Sequence, residues 1–170
     1  MLDKKSKTAG GKPYFCGKQE RSMISISFDT IFDKAVEFSA YEAGRGVQDK
    51  SLLPALLVTA KDKPFIQSHA EQAMLSVGSL LRFCLEDFGM PEDGSAEYRF
   101  TFREDCALAR RSGTKRHLTE AMATFVMSQW LGNKLPERAQ AYASMHTDMV
   151  GALVSSADRT APKRPKSNKA

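Results

Sequence analysis

The sequence predicts a mainly α-helical domain, a bundle of about four helices with a small β element and extended basic N- and C-terminal arms. Three observations predict it. Apolar residues recur every three or four positions in four long stretches, two short stretches alternate apolar and polar residues, and positive charge concentrates at the two ends of the chain. A 42% hydrophobic fraction in 170 residues suffices for one buried core.

The charge distribution divides the chain into three parts. Residues 1–22 carry a net charge of +4 and residues 159–170 a net charge of +5, whereas residues 23–158 between them carry −4. A uniformly basic DNA-binding domain would not show this pattern. We therefore expect a basic N-terminal arm (1–22), a helical core domain (23–158) and a basic C-terminal tail (159–170), both arms being extended or disordered in isolation.

The first helix is predicted over residues 29–44. Asp29 or Thr30 is a suitable N-cap, apolar residues follow at helical spacing, and Gly44 is a typical terminator. The connection from 45 to 64 contains Pro54, which leaves a short helical turn and a strand as alternatives.

The second helix is predicted to run from Pro64 to Phe88, where Gly89 and Pro91 end it. Its apolar stripe is wide and implies burial against more than one neighbour.

Two further helices are predicted near the end of the core. One covers about 116–133 and contains the only tryptophan, Trp130; the other begins near Pro136 and ends at about Asp158. The connection between them is short, which makes them antiparallel neighbours.

The small β element is predicted from residues 23–28 and 96–104. Both segments alternate, and in the second one Tyr98, Phe100 and Phe102 point inward while charged and polar residues point outward. We expect these two distant segments to pair.

The sequence predicts no catalytic residue, no cofactor and no metal site. It contains neither a GxSxG nor a GxxxxGK[ST] motif, and its acidic pairs are adjacent residues that point apart. His69 and His146 lie on or beside apolar faces, far from each other and from His117. Three cysteines without a CxxC favour a reducing compartment. We also expect no secretory signal and no membrane association, because the longest apolar run is short of the roughly 20 residues of a spanning helix.

Partner or nucleic-acid contacts are expected from the two arms and from the basic loop at 110–117. The loop cations can neutralise phosphates without reading sequence, or bind acidic grooves on a partner protein. The aromatic pair in the N-terminal arm is a candidate anchor, with a chance pairing as the open alternative. The candidate residues are Lys4, Lys5, Lys7, Tyr14, Phe15, Arg110, Arg111, Lys115, Arg116, Lys163, Arg164 and Lys166.

The layout of the chain resembles a known class of proteins. An extended start leads into FDTIFDKAVEFSAYEAGRG, a long amphipathic helix follows, then the YRFTFRED strand, a helical pair containing Trp130-Leu131 and Tyr142, and a tail rich in Pro, Lys and Arg. Over roughly residues 23–165 this layout is similar to the small virion proteins of tailed bacteriophages, of the head–tail connector or tail-completion type.

That resemblance implies a non-enzymatic structural subunit of the virion, made in the host cytoplasm. It implies many copies in a homo-oligomeric ring, arms that bind neighbours, and contacts with other virion proteins such as portal or tail, with non-specific DNA contact also open. Neck, tail and capsid-surface placement remain alternatives. The alternative function is a sequence-independent nucleic-acid-binding accessory protein, and a third is a small helical enzyme or regulator with a polar pocket at His69 or His146.

Overall fold

The structure is a computed structural model that describes residues 22–45 and 49–157. These residues form a mainly helical fold with a small three-stranded antiparallel sheet, which confirms the predicted class. They contain six helices rather than about four, because two helices of four residues are too short to show periodicity. The elements are β1 Met23–Ser27, α1 Phe28–Gly44, α2 Leu53–Leu56, α3 Lys63–Leu80, β2 Leu85–Gly89, β3 Glu97–Phe102, α4 Ala107–Arg110, α5 Thr114–Leu131 and α6 Pro136–Ala157.

The sheet has the strand order β1-β3-β2, with both pairs antiparallel. Ile26 lies opposite Tyr98, so the predicted pairing of the two alternating segments is confirmed. Tyr98, Phe100 and Phe102 are buried, and the residues between them are half-buried on the other face. The alternation of β3 therefore separates a core face from an outer face, as its sequence indicates.

The second predicted helix is wrong beyond Leu80. The helix α3 ends at Leu80, and the N–H of Leu81 donates to the Val77 carbonyl. Residues 81–84 form a turn, and residues 85–89 then form β2 against β3 instead of continuing the helix. Apolar spacing through this region fits either element, and pairing with a distant strand overrides the local pattern. α3 packs against α5, α1 and β2, as its wide apolar stripe predicts.

The start of α1 and the following connection also differ from the sequence prediction. The N-cap is Ser27 rather than Asp29 or Thr30, and its Oγ accepts a hydrogen bond from the Thr30 N–H at 3.3 Å. Of the two alternatives for the segment around Pro54, a helical turn or a strand, the structure shows the helical turn. A 3-10 turn, Lys50–Leu52, leads directly into α2.

The helix α5 is the centre of the fold and packs against α6, α3 and α1. Its buried hydroxyl groups bond to carbonyls of their own helix; Thr124 Oγ1, for example, donates to the Ala121 carbonyl at 2.9 Å. Trp130 near its end donates from Nε1 to the Leu56 carbonyl at 2.8 Å and fixes α2 against it. Polar residues inside this helix are thus compatible with burial.

The helices α5 and α6 form an antiparallel hairpin, as predicted. His146 Nδ1 lies 2.8 Å from the Ala121 carbonyl, and Arg111 ahead of α5 bonds to Ser156 in the last turn of α6. The start of α6 therefore lies beside the end of α5. None of the helices in the described ranges is long and apolar enough to cross a membrane.

We expect Tyr98→Phe to raise the free energy of unfolding by about 1 kcal/mol. The substitution removes a fully buried hydroxyl for which residues 22–45 and 49–157 supply no hydrogen-bond partner. Urea unfolding at neutral pH measures the change, and a loss of stability would contradict it.

The same substitution is expected to reduce the loss of stability at alkaline pH. Burial, and then the charge of Glu71, raises the pKa of Tyr98 above its ordinary value. The folded state favours the neutral phenol over the ionised one. The corresponding stability of the folded state is fully present below the unfolded pKa of about 10 and is lost as the pH rises toward the folded pKa. Unfolding curves of both proteins on either side of about pH 10 test this.

Candidate functional site

Eight of the twelve predicted contact residues lie outside the described residues. They are Lys4, Lys5, Lys7, Tyr14, Phe15, Lys163, Arg164 and Lys166. The predicted arms, 1–22 and 159–170, also lie outside the described residues, except for Ser22. The structure places the remaining four candidates, which belong to the predicted basic loop.

The predicted loop at 110–117 is shorter than expected. Arg110 ends α4, and α5 begins at Thr114 after Gly113, whose φ of +97° suits glycine. Lys115 and Arg116 are therefore helical residues in the first turn of α5. Cations at a helix N-terminus oppose the helix dipole, so local helix stability does not explain them.

Two of these cations are bonded to the fold by their side chains. Arg110 Nη2 donates to the Glu104 carbonyl at 3.1 Å, and Arg111 Nη1 donates to Ser156 Oγ at 2.7 Å. Arg116 Nε pairs with Glu120 at 3.0 Å on the exposed helix surface.

The chain enters and leaves the described region next to these cations. The Phe102 N–H donates to the Ser22 carbonyl at 3.0 Å, two residues before the Glu104 carbonyl that Arg110 binds. At the other terminus, Ser156 is the partner of Arg111 and lies one residue before the end of α6. We call this region, with Arg110, Arg111, Lys115, Arg116 and the attachment points of both arms, the basic end. Exposed Glu104 and Asp105 also lie in it.

A groove lies at the other end of α6, where its first turns cross the last turns of α1. It has a volume of about 710 Å³. Tyr41 and Met145 on its wall are 59% and 42% exposed, so the groove presents apolar surface on its outer side. We call it the α1–α6 groove; its lining is Glu37, Phe38, Tyr41, Glu42, Arg45, Glu137, Arg138, Ala141, Tyr142 and Met145.

The floor of the groove contains a buried carboxylate. The Glu42 side chain is 3% exposed; it is paired with Arg138 and accepts a hydrogen bond from the Tyr142 hydroxyl at 3.3 Å. Arg45 Nη1 approaches it to 3.8 Å. Burial, and then the charge of Glu42, raises the pKa of Tyr142 above its ordinary value.

Sequence reasoning missed this cluster, although a signal for it exists. Glu42 follows buried Ala35 by seven residues and buried Ser39 by three, on the face of α1 that points into the fold. A carboxylate on such a face requires a partner, because an unpaired buried charge is costly. The partner, Arg138, lies on α6 and is not identifiable from α1 alone.

His69 and His146 occupy boundary positions, as predicted. His146 is half-buried with its ring 5.3 Å from that of Phe125. His69 is half-buried against Phe65, and its Nδ1 has no hydrogen-bond partner among the described residues. The cavity beside it, of about 450 Å³, is lined by Phe65, His69, Gln129, Trp130, Asn133 and Lys134. That lining supplies no carboxylate to pair with His69 for acid–base chemistry.

The fold and these surfaces define a small mainly helical domain with a three-stranded sheet, a basic end and a groove with a buried ion pair. In the part of the chain that the structure describes, no group of three or more His, Cys, Asp or Glu residues is arranged to hold a metal ion. No protein-family model, no curated protein and no solved structure matches the chain.

Proposed function

We propose that this chain is a non-enzymatic structural component of a tailed-phage virion, a head–tail connector, neck or tail-completion subunit that assembles in a ring. The observation that carries the proposal is the position of the two arms. Both are attached at the basic end, and Ser156 in that region lies about 17–29 Å along α6 from the residues of this helix that line the α1–α6 groove. A subunit whose two arms are attached at one end and whose groove lies at the other is suited to repeated contacts with identical neighbours.

In this proposal the four long helices act as a bundle that supplies subunit packing, while residues 1–22 and 159–170 are extended arms. A contact between two different surfaces of identical subunits closes into a ring when the rotation between them permits it. The arms lose their conformational entropy only on assembly, which makes incorporation dependent on the partner surfaces.

The proposed partners are other copies of this chain and other virion proteins such as portal or tail. The arms and the basic end also permit non-specific contact with packaged DNA. The proposal includes no cofactor, no metal and no membrane, and it places the protein in the virion after synthesis in the host cytoplasm.

A second candidate function, sequence-independent nucleic-acid binding, is favoured by one observation. Lys115 and Arg116 project from the first turn of α5 next to the attachment points of two arms whose net charges are +4 and +5. Phosphate contacts of this kind weaken steeply with salt. Absence of DNA or RNA binding by the isolated protein at low salt would exclude this candidate.

Arm deletion tests the structural proposal. Removing residues 1–21 or 158–170 is expected to leave the domain folded, because its core lies within residues 26–157. Incorporation into particles is expected to fall about tenfold or more, which corresponds to at least about 1.4 kcal/mol of lost binding free energy. Gradient sedimentation followed by quantification of the chain in the particle fraction measures it.

The control for this experiment removes positive charge elsewhere. Lys50 and Lys61 are exposed in the connection between α1 and α3, away from the basic end. The double variant Lys50→Ala and Lys61→Ala is expected to incorporate like the unaltered chain. Normal incorporation of both arm deletions would contradict the proposal.

A further inference from the structure

We propose that the α1–α6 groove binds the Tyr14–Phe15 segment of the N-terminal arm of a neighbouring copy. This inference rests on the proposed assembly of identical subunits and names the surface that one arm contacts. It would make Tyr14 and Phe15 the anchor of each subunit-to-subunit contact.

The first argument is the apolar character of the groove. The rings of Phe38 and Tyr142 lie 5.7 Å apart on its wall, and the exposed faces of Tyr41 and Met145 continue that surface. Aromatic side chains and methionine are enriched in the cores of protein interfaces, where methionine adapts to the shape of its partner. An occupant with two adjacent aromatic side chains matches this lining.

The second argument is charge. Glu37 and Glu137 belong to the lining, and both are exposed. Lys34 already pairs with Glu37 at 2.7 Å, whereas the described residues supply no ion-pair partner for Glu137. In the arm, Lys12 and Lys18 flank Tyr14–Phe15, so a cation is available on either side of the aromatic pair.

The cations of the groove are occupied within it. Arg138 is held by Glu42, and the guanidinium of Arg45 lies 5.3 Å from the ring centre of Tyr41 while its Nη1 approaches Glu42. They therefore contribute less to repulsion of a basic segment than their number suggests. The Glu137 carboxylate at the rim of the groove remains available to the lysines of the arm.

The third argument is reach, because the N-terminal arm is long enough for its aromatic pair to reach a groove at the far end of a domain. From Ser22 back to Phe15 an extended chain spans at most about 24 Å. Along α6 alone, Ser156 at the basic end and Tyr142 in the groove are about 21 Å apart. The same maximum length applies to an arm from a neighbouring copy, so the choice of a neighbour follows from the proposed assembly of identical subunits and not from arm length.

The test uses Cys16, which directly follows Phe15 in the sequence. The variant Met145→Cys introduces a thiol on the groove wall, where the native side chain is 42% exposed. Cys84 and Cys106 are buried and do not compete for it. The purified full-length protein is treated with a mild thiol oxidant, which accepts the two electrons released when two thiols form a disulfide, and is analysed on non-reducing gels.

The matched control is Leu75→Cys on α3, at a side chain that is 54% exposed and outside the groove. We expect interchain dimers and higher multimers of Met145→Cys to be about tenfold more abundant than those of the control. Adding Cys16→Ser to Met145→Cys is expected to abolish them.

Failure of this inference and failure of the proposed function are distinguishable. Equal cross-linking of the two thiol variants would overturn the groove as the binding surface, and an intrachain disulfide in Met145→Cys would overturn the neighbouring copy as the source of the arm, whatever the result of particle sedimentation. Absence of the unaltered chain from particles would overturn the virion proposal, and it is scored in a separate experiment.

Discussion

Replacing Arg138 with alanine is expected to lower the free energy of unfolding by about 3 kcal/mol. The Glu42 carboxylate is almost completely buried, and Arg138 is its main cationic partner. Truncating that partner leaves a buried charge with only the Tyr142 hydroxyl at 3.3 Å and Arg45 at 3.8 Å. Chemical denaturation of the full chain measures the loss.

Two comparisons identify the cause of that loss. The double variant Glu42→Gln and Arg138→Met removes both charges and is expected to be clearly more stable than Arg138→Ala, because no charge then remains buried and unpaired. The variant Arg116→Ala removes an arginine that is 78% exposed and paired with Glu120, and it is expected to cost less than about 0.5 kcal/mol. Similar losses of stability for Arg116→Ala and Arg138→Ala would contradict the explanation that the loss comes from an unpaired buried charge on Glu42.

Replacing Gly78 with alanine is expected to lower the free energy of unfolding by about 2 kcal/mol, although alanine is the better helix former. A Cβ at this position of α3 would overlap the ring of Phe88 on β2. The substitution must therefore displace Phe88 and disturb the contact between helix and strand.

Gly151 is the matched control for Gly78. It lies in α6, where an added Cβ meets nothing within 4 Å. Gly151→Ala is therefore expected to raise stability by about 1 kcal/mol through helix propensity alone. Thermal or urea unfolding of the two variants should give changes of opposite sign, and a stabilising Gly78→Ala would contradict the packing described for Phe88.

Periodicity predicted α1 and α6 well because each contains 17 residues or more with one buried face, and it also found α5, which is buried on several sides. The pairing of β1 with β3 was also predictable, since both segments alternate. The strand β2 was not, because its residues continue the apolar spacing of α3. The close approach of Phe88 to Gly78 depends on β2 pairing with β3, which is information carried by residues elsewhere in the chain.

The candidate surfaces were less predictable than the helices. The sequence indicates which residues are basic, but the common location of the two attachment points depends on the Ser22–Phe102 and Arg111–Ser156 hydrogen bonds. The α1–α6 groove likewise depends on pairing of Glu42 with Arg138, 96 positions apart. Such surfaces arise from packing between elements and have no local sequence pattern.

We propose that this chain is built into a particle through its arms. Sedimentation of native material through a density gradient tests it most directly, by following the unaltered chain in the presence of DNA-filled particles. Our account predicts that it travels with the particles and remains with them in high salt, where non-specific phosphate contacts are lost. Sedimentation as a free small protein would contradict the account and place nucleic-acid binding first.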